Sequence, residues 1–167
     1  MNVIRSPVES LDKNLFQDLN RGDVLFIDSS HIIRPQGDVL FEFLEILPIL
    51  KPGVLIHVHD IFTPRDYIKE WIVDDVKFWN EQYLLEAFLS FNAGFKVIGA
   101  LNYLYYSYSE QLCNAFPLLK AQPASNPGCA SFWIGRPKLF NRRLYKYRVL
   151  VGVSVIRSSA KNSKSVY

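Results

Sequence analysis

The chain lacks most of the features that identify common functional classes directly. Its 167 residues include two cysteines, Cys113 and Cys129, which form no CxxC pair. The absence of a CxxC pair excludes a zinc knuckle. Two thiols in a chain of this size predict a reducing, cytoplasmic setting. No apolar run approaches the ~18 residues of a membrane span, and the amino terminus has no apolar signal core, so we expect a soluble protein without a membrane partner. The motifs GxGxxG, GxxxxGKS/T and GxSxG are absent, which leaves no recognisable phosphate loop and weakens a serine hydrolase interpretation.

The charge of the chain is distributed unevenly. The net charge is +3, yet residues 138–167 contain eight Lys and Arg and no Asp or Glu, so the preceding residues are net negative. We therefore divide the chain into an α/β domain over residues 1–137 and a basic tail over residues 138–167. A basic tail can contact nucleic acid or an anionic membrane. A solvated, partly disordered end is the simpler interpretation, and we expect no nucleic-acid partner.

Two apolar runs each end in a polar cluster. Val24–Ile27 leads into Asp28–His31, and Gly53–Ile56 leads into His57–Asp60, with the second strand predicted over Val54–Val58. The segment Asp38–Leu50 between them has the pattern of a helix. A strand, a helix and a second strand in this order predict a parallel crossover, which brings both clusters to the carboxyl edge of one sheet. Open α/β sheets bind their ligands at that edge.

The helix between these strands has an amphipathic pattern. We expect Asp38 as its N-cap and Glu42 and Glu45 on its solvent side. Its buried side is expected to comprise Leu40, Phe41, Leu44, Leu47 and Ile49.

The later elements are predicted from periodicity and turn residues. They are a helix over Phe78–Phe91, strands over Phe95–Leu101 and Ala130–Ile134, and an edge strand over Val149–Ile156. The loop Ile61–Trp79 is dense in aromatic and charged residues, and such loops often form lids or substrate-facing walls.

The polar clusters allow several chemical roles. Asp28 is a candidate metal ligand or general base, or a cap of the loop that follows. His31 is either an acid/base group or a turn residue, since histidine titrates near neutrality. We expect His57 to be a hydrogen-bonded core residue, while His59 and Asp60 fit a functional and a structural role equally well. Two histidines and two aspartates could also form a site for Mg²⁺ or a transition ion.

Several linked segments resemble class I S-adenosylmethionine-dependent methyltransferases. The resemblance extends roughly over residues 1–134 and rests on Gly22–His31, Gly37–Val39, Glu45–Pro48, Leu50–Val54, His59–Phe62, Phe78–Leu85 and Ala130–Trp133. It implies a Rossmann-like, mostly parallel sheet with helices on both faces, of which this chain supplies the fourth to seventh strands. The family's first strand, its glycine-rich cofactor loop and the acidic residue after its second strand have no counterpart here. We therefore expect a truncated or split carboxyl-terminal part.

The resemblance also implies roles for individual residues. Asp28, Ser29 and Ser30 would contact the cofactor S-adenosylmethionine, and Asp28 and Asp60 stand where some relatives hold Mg²⁺. A metal would align two substrate oxygens and lower the pKa of the acceptor hydroxyl. Without a metal, His31 or His59 would act as the base.

Three functions follow as hypotheses. The first is methyl transfer to an oxygen or nitrogen of a small molecule, which requires that a missing amino-terminal segment be supplied. The second is a non-catalytic remnant or interaction module, because a sheet lacking its first strands would leave the edge at Val24–Ile27 unpaired and prone to self-association. The third is a metal-dependent hydrolase built on Asp28, His57, His59 and Asp60.

Overall fold

The fold is a mixed sheet with surrounding helices, described by a computed structural model for residues 2–121, 129–137, 149–151 and 154–156. Most of the predicted basic tail therefore lies outside the described residues. The strands are β1 (Val24–Ile27), β2 (Leu55–His59), β3 (Lys96–Ala100), β4 (Ser131–Gly135), β5 (Val149–Val151) and β6 (Ser154–Ile156). Their order in the sheet is β3-β4-β2-β1-β5-β6. This α/β arrangement is consistent with a partial Rossmann-like fold.

The sheet is mixed, so the prediction of a mostly parallel sheet is not confirmed. Among the described strands β1 pairs in parallel with β2 and with β5, whereas the other three pairings are antiparallel. The cause is β4, which follows β3 in the chain but inserts between β2 and β3 and runs against both. An apolar strand sequence carries no signal for its direction, so this insertion was not foreseeable from residues 130–134.

Strands β1 and β2 form the parallel pair that was expected. Val24 pairs with Leu55 and Ile27 with Val58, so the two strands end at nearly the same level. Three of the four β1 residues are buried, as their continuous apolar character predicts. The second strand begins and ends one residue later than predicted, and its last residue is His59.

The edge of β1 is not bare, contrary to the prediction. Strand β5 pairs along it in parallel, with Val24 opposite Val149 and Phe26 opposite Val151. Strand β6 then pairs with β5 in antiparallel fashion. The single edge strand predicted over Val149–Ile156 is thus two short strands. An interaction module that binds through an open β1 edge loses its structural basis.

The helices are short, apart from one of ten residues. They are α1 (Asn14–Gln17), α2 (Asp38–Phe41), α3 (Lys69–Val73), α4 (Glu81–Ser90), α5 (Leu101–Ser107) and α6 (Ser109–Ala115), with 3₁₀ turns at Val8–Ser10, Leu47–Ile49 and Pro117–Ala121. Helix α3 lies within the loop predicted over Ile61–Trp79. No described helix is long and apolar enough to cross a membrane.

Helix α2 continues into a π-helical turn, Glu42–Ile46, and this changes which side chains are buried. Leu44, expected in the core, is 58% exposed, whereas Glu42, expected in solvent, is 3% exposed. A π turn closes i→i+5 hydrogen bonds, so each residue advances by a smaller angle than in an α-helix. The prediction for Leu44 and Glu42 is wrong because it assumed a period of 3.6 residues.

The start of α2 also differs from the prediction. Gly37 occupies the N-cap position, and Asp38 is the first helical residue. The Asp38 carboxylate instead accepts hydrogen bonds from Ser30 of the loop after β1. The acid therefore fixes that loop to the helix, and it is the first helical residue instead of the N-cap.

The core lies between the central strands and the helical segment from Asp38 to Ile49. Fully buried side chains include Phe43, Ile46, Leu47, Ile56, Val58, Ile61, Leu85 and Ile134. They belong to one hydrophobic cluster that joins β2, β4, α4 and the π turn. This packing holds the carboxyl ends of β1 and β2 in place, where the polar clusters are found.

Candidate active site

Asp28 and Asp60 converge on one histidine at the carboxyl edge of the sheet. Asp28 directly follows β1, and Asp60 directly follows β2. The Nε2 atom of His31 lies 3.6 Å from Asp28 Oδ1 and 3.9 Å from Asp60 Oδ2. The two acids are therefore brought together as the parallel strand pair predicts. His31 lies against both carboxylates.

His31 is held by a buried carboxylate on its other ring nitrogen. Its Nδ1 atom lies 2.8 Å from Oε2 of Glu81, which is fully buried at the start of α4. Ser29 Oγ donates to the same carboxylate oxygen at 2.9 Å and accepts the His31 backbone N–H at 3.0 Å. If Nδ1–H donates to Glu81, neutral His31 presents an unprotonated Nε2 towards Asp28 and Asp60.

Three carboxylates shift the titration of His31. Burial lowers its pKa, but the hydrogen bond and the charge of Glu81, together with the charges of Asp60 and Asp28, outweigh burial. The net effect raises the pKa of His31 above its ordinary value. The group is therefore a stronger base than a free imidazole.

The backbone supports this placement of His31. Its carbonyl oxygen accepts the N–H groups of Asn80 and Glu81, at 2.9 and 3.2 Å, and so ties the loop after β1 to the beginning of α4. His31 and Asp60 have positive φ angles of 60° and 53°. Left-handed backbone is uncommon for residues with a side chain, and such conformations concentrate at functional sites.

A tryptophan ring covers one side of His31. The ring centroids of Trp79 and His31 are 4.2 Å apart, and Trp79 also contacts the rings of Tyr67 and Trp71. The side chain of His31 is only 7% exposed, whereas that of Asp28 is 50% exposed. Asp28 therefore forms the solvent-facing side of the cluster.

The two serines predicted to contact the cofactor are engaged inside the loop. Ser29 binds Glu81, and the N–H and hydroxyl of Ser30 both donate to the Asp38 carboxylate at 2.7 Å. Burial raises the pKa of Asp38, but the hydrogen bonds from Ser30 and Val39 and the charge of Arg34 lower it overall. Cofactor contact by Ser29 and Ser30 remains a prediction.

His59 lies beside the cluster. Its Nε2 atom is 3.5 Å from Asp60 Oδ1, while the other oxygen of Asp60 faces His31. The side chain is 41% exposed, yet its Nδ1 atom is buried and has no hydrogen-bond partner in the described part of the chain. Asp60 thus bridges the two histidines.

His57 is separate from this acidic cluster. Its ring packs against Phe26 at 4.2 Å and Trp133 at 4.7 Å, and its Nε2 atom lies 3.3 Å from Ser131 Oγ. Burial and the neighbouring His59 lower the pKa of His57 to about 4. His57 is therefore a neutral packing residue at physiological pH, which agrees with the role expected from the sequence.

The donor set does not fit a metal ion. Within the described part of the chain, no group of three or more His, Cys, Asp or Glu side chains is arranged to hold one. The imidazole of His31 instead lies beside both aspartates, with its Nε2 atom 3.6 and 3.9 Å from their nearest oxygens. Neither the Mg²⁺ site at Asp28 and Asp60 nor the metal-dependent hydrolase gains support from this geometry.

Glu81 is the functional candidate that sequence reasoning missed. An acid in the first turn of a helix is ordinary, because it complements the helix dipole. The only available signal was its position next to Trp79 and Asn80, within a segment that resembles the methyltransferases. Glu81 and His31 are 50 residues apart in the sequence, so their contact appears only in the folded chain.

Comparison with known proteins supports a methyltransferase assignment for the first part of the chain. Residues 1–61 match a family model described as methyltransferase domain. This confirms the resemblance to class I S-adenosylmethionine-dependent methyltransferases for the stretch that contains β1, α2, β2, Asp28, His31 and Asp60. Searches among curated proteins and among solved structures gave no match.

Proposed function

We propose that this chain carries the proton-accepting part of an S-adenosylmethionine-dependent methyltransferase site, which methylates an oxygen or nitrogen of a small molecule. The observation that carries the proposal is the position of His31. Its Nδ1 is bound to buried Glu81 and its Nε2 faces Asp28 and Asp60. The family match over residues 1–61 supports the choice of methyl transfer over other reactions that need a base.

His31 acts as the general base in this proposal. When bound, S-adenosylmethionine supplies an electrophilic methyl group on a sulfonium. The acceptor O–H or N–H must lose its proton as the new bond to carbon forms, and Nε2 of His31 takes up that proton. Glu81, Asp28 and Asp60 then stabilise the imidazolium, because three carboxylates lie within 4 Å of its ring nitrogens.

The charge of the cluster is compatible with a cationic cofactor. Three carboxylates surround one imidazole, so the site keeps an excess of negative charge even when His31 is protonated. Such a site attracts a positively charged sulfonium by long-range electrostatics. Asp28, whose side chain is half exposed, is placed to contact the ligand directly.

The experiment measures formation of S-adenosylhomocysteine by the full chain with a panel of small phenols and amines. Millimolar S-adenosylmethionine is used, because a chain without a glycine-rich cofactor loop is expected to bind it weakly. Although the sequence suggests that an amino-terminal segment completes the enzyme, we expect slow turnover by this chain at that cofactor concentration. The rate should rise with pH through the raised pKa of His31. We expect a loss of about 10²-fold or more in His31→Asn.

The matched control is His57→Phe, which alters a buried histidine outside the cluster and should retain activity. Equal rates for the native chain and His31→Asn would refute the role of His31. No turnover with any acceptor at saturating cofactor would refute methyl transfer by this chain.

A further inference from the structure

A second candidate site lies beside the His31 cluster, at the carboxyl ends of β2 and β3. It is a cavity of about 490 Å³ between the loop that follows β2 and the first turns of α5. Its lining residues are Phe62, Arg65, Asp66, Tyr67, Ile68, Asn102 and Tyr106. The proposed base chemistry uses none of these residues.

Asn102 gives this cavity its chemical character. The residue is 1% exposed, and within the described residues neither its Oδ1 nor its Nδ2 atom has a hydrogen-bond partner. Leaving a buried polar group unpaired costs about 1–3 kcal/mol. A leucine of similar size would avoid that cost, so the fold gains nothing from an asparagine here. A carboxamide offers one acceptor and one donor side by side, which fits a partner with the reverse pair.

The walls of the cavity favour a planar ligand. Phe62, Tyr67 and Tyr106 contribute aromatic rings, and Ile68 adds an apolar surface. The guanidinium of Arg65 lies 3.7 Å from the centroid of the Tyr106 ring. Aromatic rings and a guanidinium plane stack readily on a flat ring. An aliphatic or strongly hydrated ligand would make fewer favourable contacts with these surfaces.

The wall formed by the loop is held firmly by Gln82 of α4. The Gln82 side chain accepts the N–H of Phe62 at 2.8 Å and donates to the carbonyl of Arg65 at 2.8 Å. Its backbone N–H donates to the hydroxyl of Tyr67 at 3.0 Å. Since the preceding residue is Glu81, one turn of helix positions both this cavity wall and the His31 base.

The cavity and the base are also linked through aromatic contacts. The Tyr67 ring, which lines the cavity, lies 6.1 Å from the Trp79 ring, and Trp79 lies 4.2 Å from His31. A ligand of two linked parts could therefore occupy the cavity with one part and approach the base with the other.

We infer that this cavity binds a planar ring bearing an amide or lactam edge, which pairs with both polar atoms of Asn102. That the ring belongs to the methyl acceptor rests on the proposed function, whereas binding of the ring does not. The Asn102 amide is closed off from solvent, so the ligand reaches it only when the cavity wall rearranges.

The test uses benzamide as the probe and acetophenone as its matched control. The two molecules have the same shape, but acetophenone lacks the N–H donors. We expect benzamide to bind the full chain in the millimolar range, as judged by NMR shifts of the Asn102 side-chain amide, with acetophenone several-fold weaker. Asn102→Leu should weaken benzamide binding at least tenfold, because both hydrogen bonds are lost.

A stability measurement is needed to check that Asn102→Leu remains folded. Its melting temperature should rise by about 2–4 °C, because two unpaired polar atoms are removed. His31→Asn should bind benzamide as the native chain does, which separates this inference from the methyl-transfer proposal. Equal benzamide affinity in the native chain and Asn102→Leu, or no binding at tens of millimolar, would overturn the inference.

Discussion

The Glu81 carboxylate lies 2.8 Å from Nδ1 of His31, across 50 residues of sequence. Glu81 is fully buried, and among the described residues this imidazole is its only ion-pair partner. Its second oxygen, Oε1, is buried and accepts no hydrogen bond from any residue that the structure describes. The pair therefore depends on His31 being present and correctly oriented, and His31 depends equally on Glu81.

Replacing Glu81 with Gln should lower the pKa of His31 and destabilise the protein. The substitution keeps the volume but removes the negative charge, which is one of the causes that raise the pKa of His31. We expect a loss of about 1–3 kcal/mol in the free energy of unfolding. NMR titration of the His31 ring and urea unfolding at neutral pH provide the measurements.

Glu70→Gln is the matched control, since Glu70 is exposed on α3. Its effect on stability should stay within about 0.5 kcal/mol, with the His31 titration unchanged. An unchanged His31 titration in Glu81→Gln would show that the short contact has no electrostatic consequence.

The two buried histidines should contribute to stability with opposite dependence on pH. The pKa of His31 is raised on folding, so its contribution is fully present below the ordinary value of 6.5 and is lost as the pH rises through the folded value. The pKa of His57 is lowered to about 4, so the unfolded chain binds more protons between pH 6.5 and 4. Stability from His57 therefore falls as the solution is acidified through that range.

His57→Phe should flatten the decrease in unfolding free energy between pH 6.5 and 4. The Phe ring keeps the packing against Phe26 and Trp133, and it cannot be protonated. Urea unfolding across this pH range measures the slope. His31→Asn serves as the comparison, because it should leave the slope from His57 in place. A slope in His57→Phe as steep as in the native chain would contradict the assignment.

The π turn predicts that Phe43 contributes more to stability than Leu44, which the regular helical pattern had placed in the core. Phe43→Ala should cost about 3–5 kcal/mol because Phe43 is fully buried. Leu44→Ala should cost less than about 0.5–1 kcal/mol, because Leu44 is 58% exposed. Thermal and urea unfolding measure both variants. A larger loss of unfolding free energy for Leu44→Ala than for Phe43→Ala would contradict the π turn and support a regular α-helix in this segment.

Prediction from sequence was accurate where the signal is local. The apolar runs of β1 and β2 depend on neighbouring residues alone. It was less accurate for α2, where the amphipathic pattern was read with a period of 3.6 residues. The wider turn at Glu42–Ile46 buries a glutamate and exposes a leucine, and tertiary packing decides in favour of that turn.

The residues of the candidate site were predicted only in part, because only some of them follow from a local pattern. Asp28 and Asp60 follow strands that the sequence identifies, so their meeting follows from one parallel pairing. Glu81 is the first residue of α4 and Asn102 the second residue of α5, and both helices come from elsewhere in the chain. Their importance lies in burial and in long-range contacts, and neither property is encoded in a local pattern.

The sequence by itself determined which segments are strands and which polar residues stand at their ends, because alternation, apolar runs and turn residues act over a few positions. Only the tertiary structure decided that β4 inserts between β2 and β3, that β5 lies along β1, and that Glu81 reaches His31. Those choices depend on which distant surfaces bury each other best, and that free energy exists only once the chain is folded.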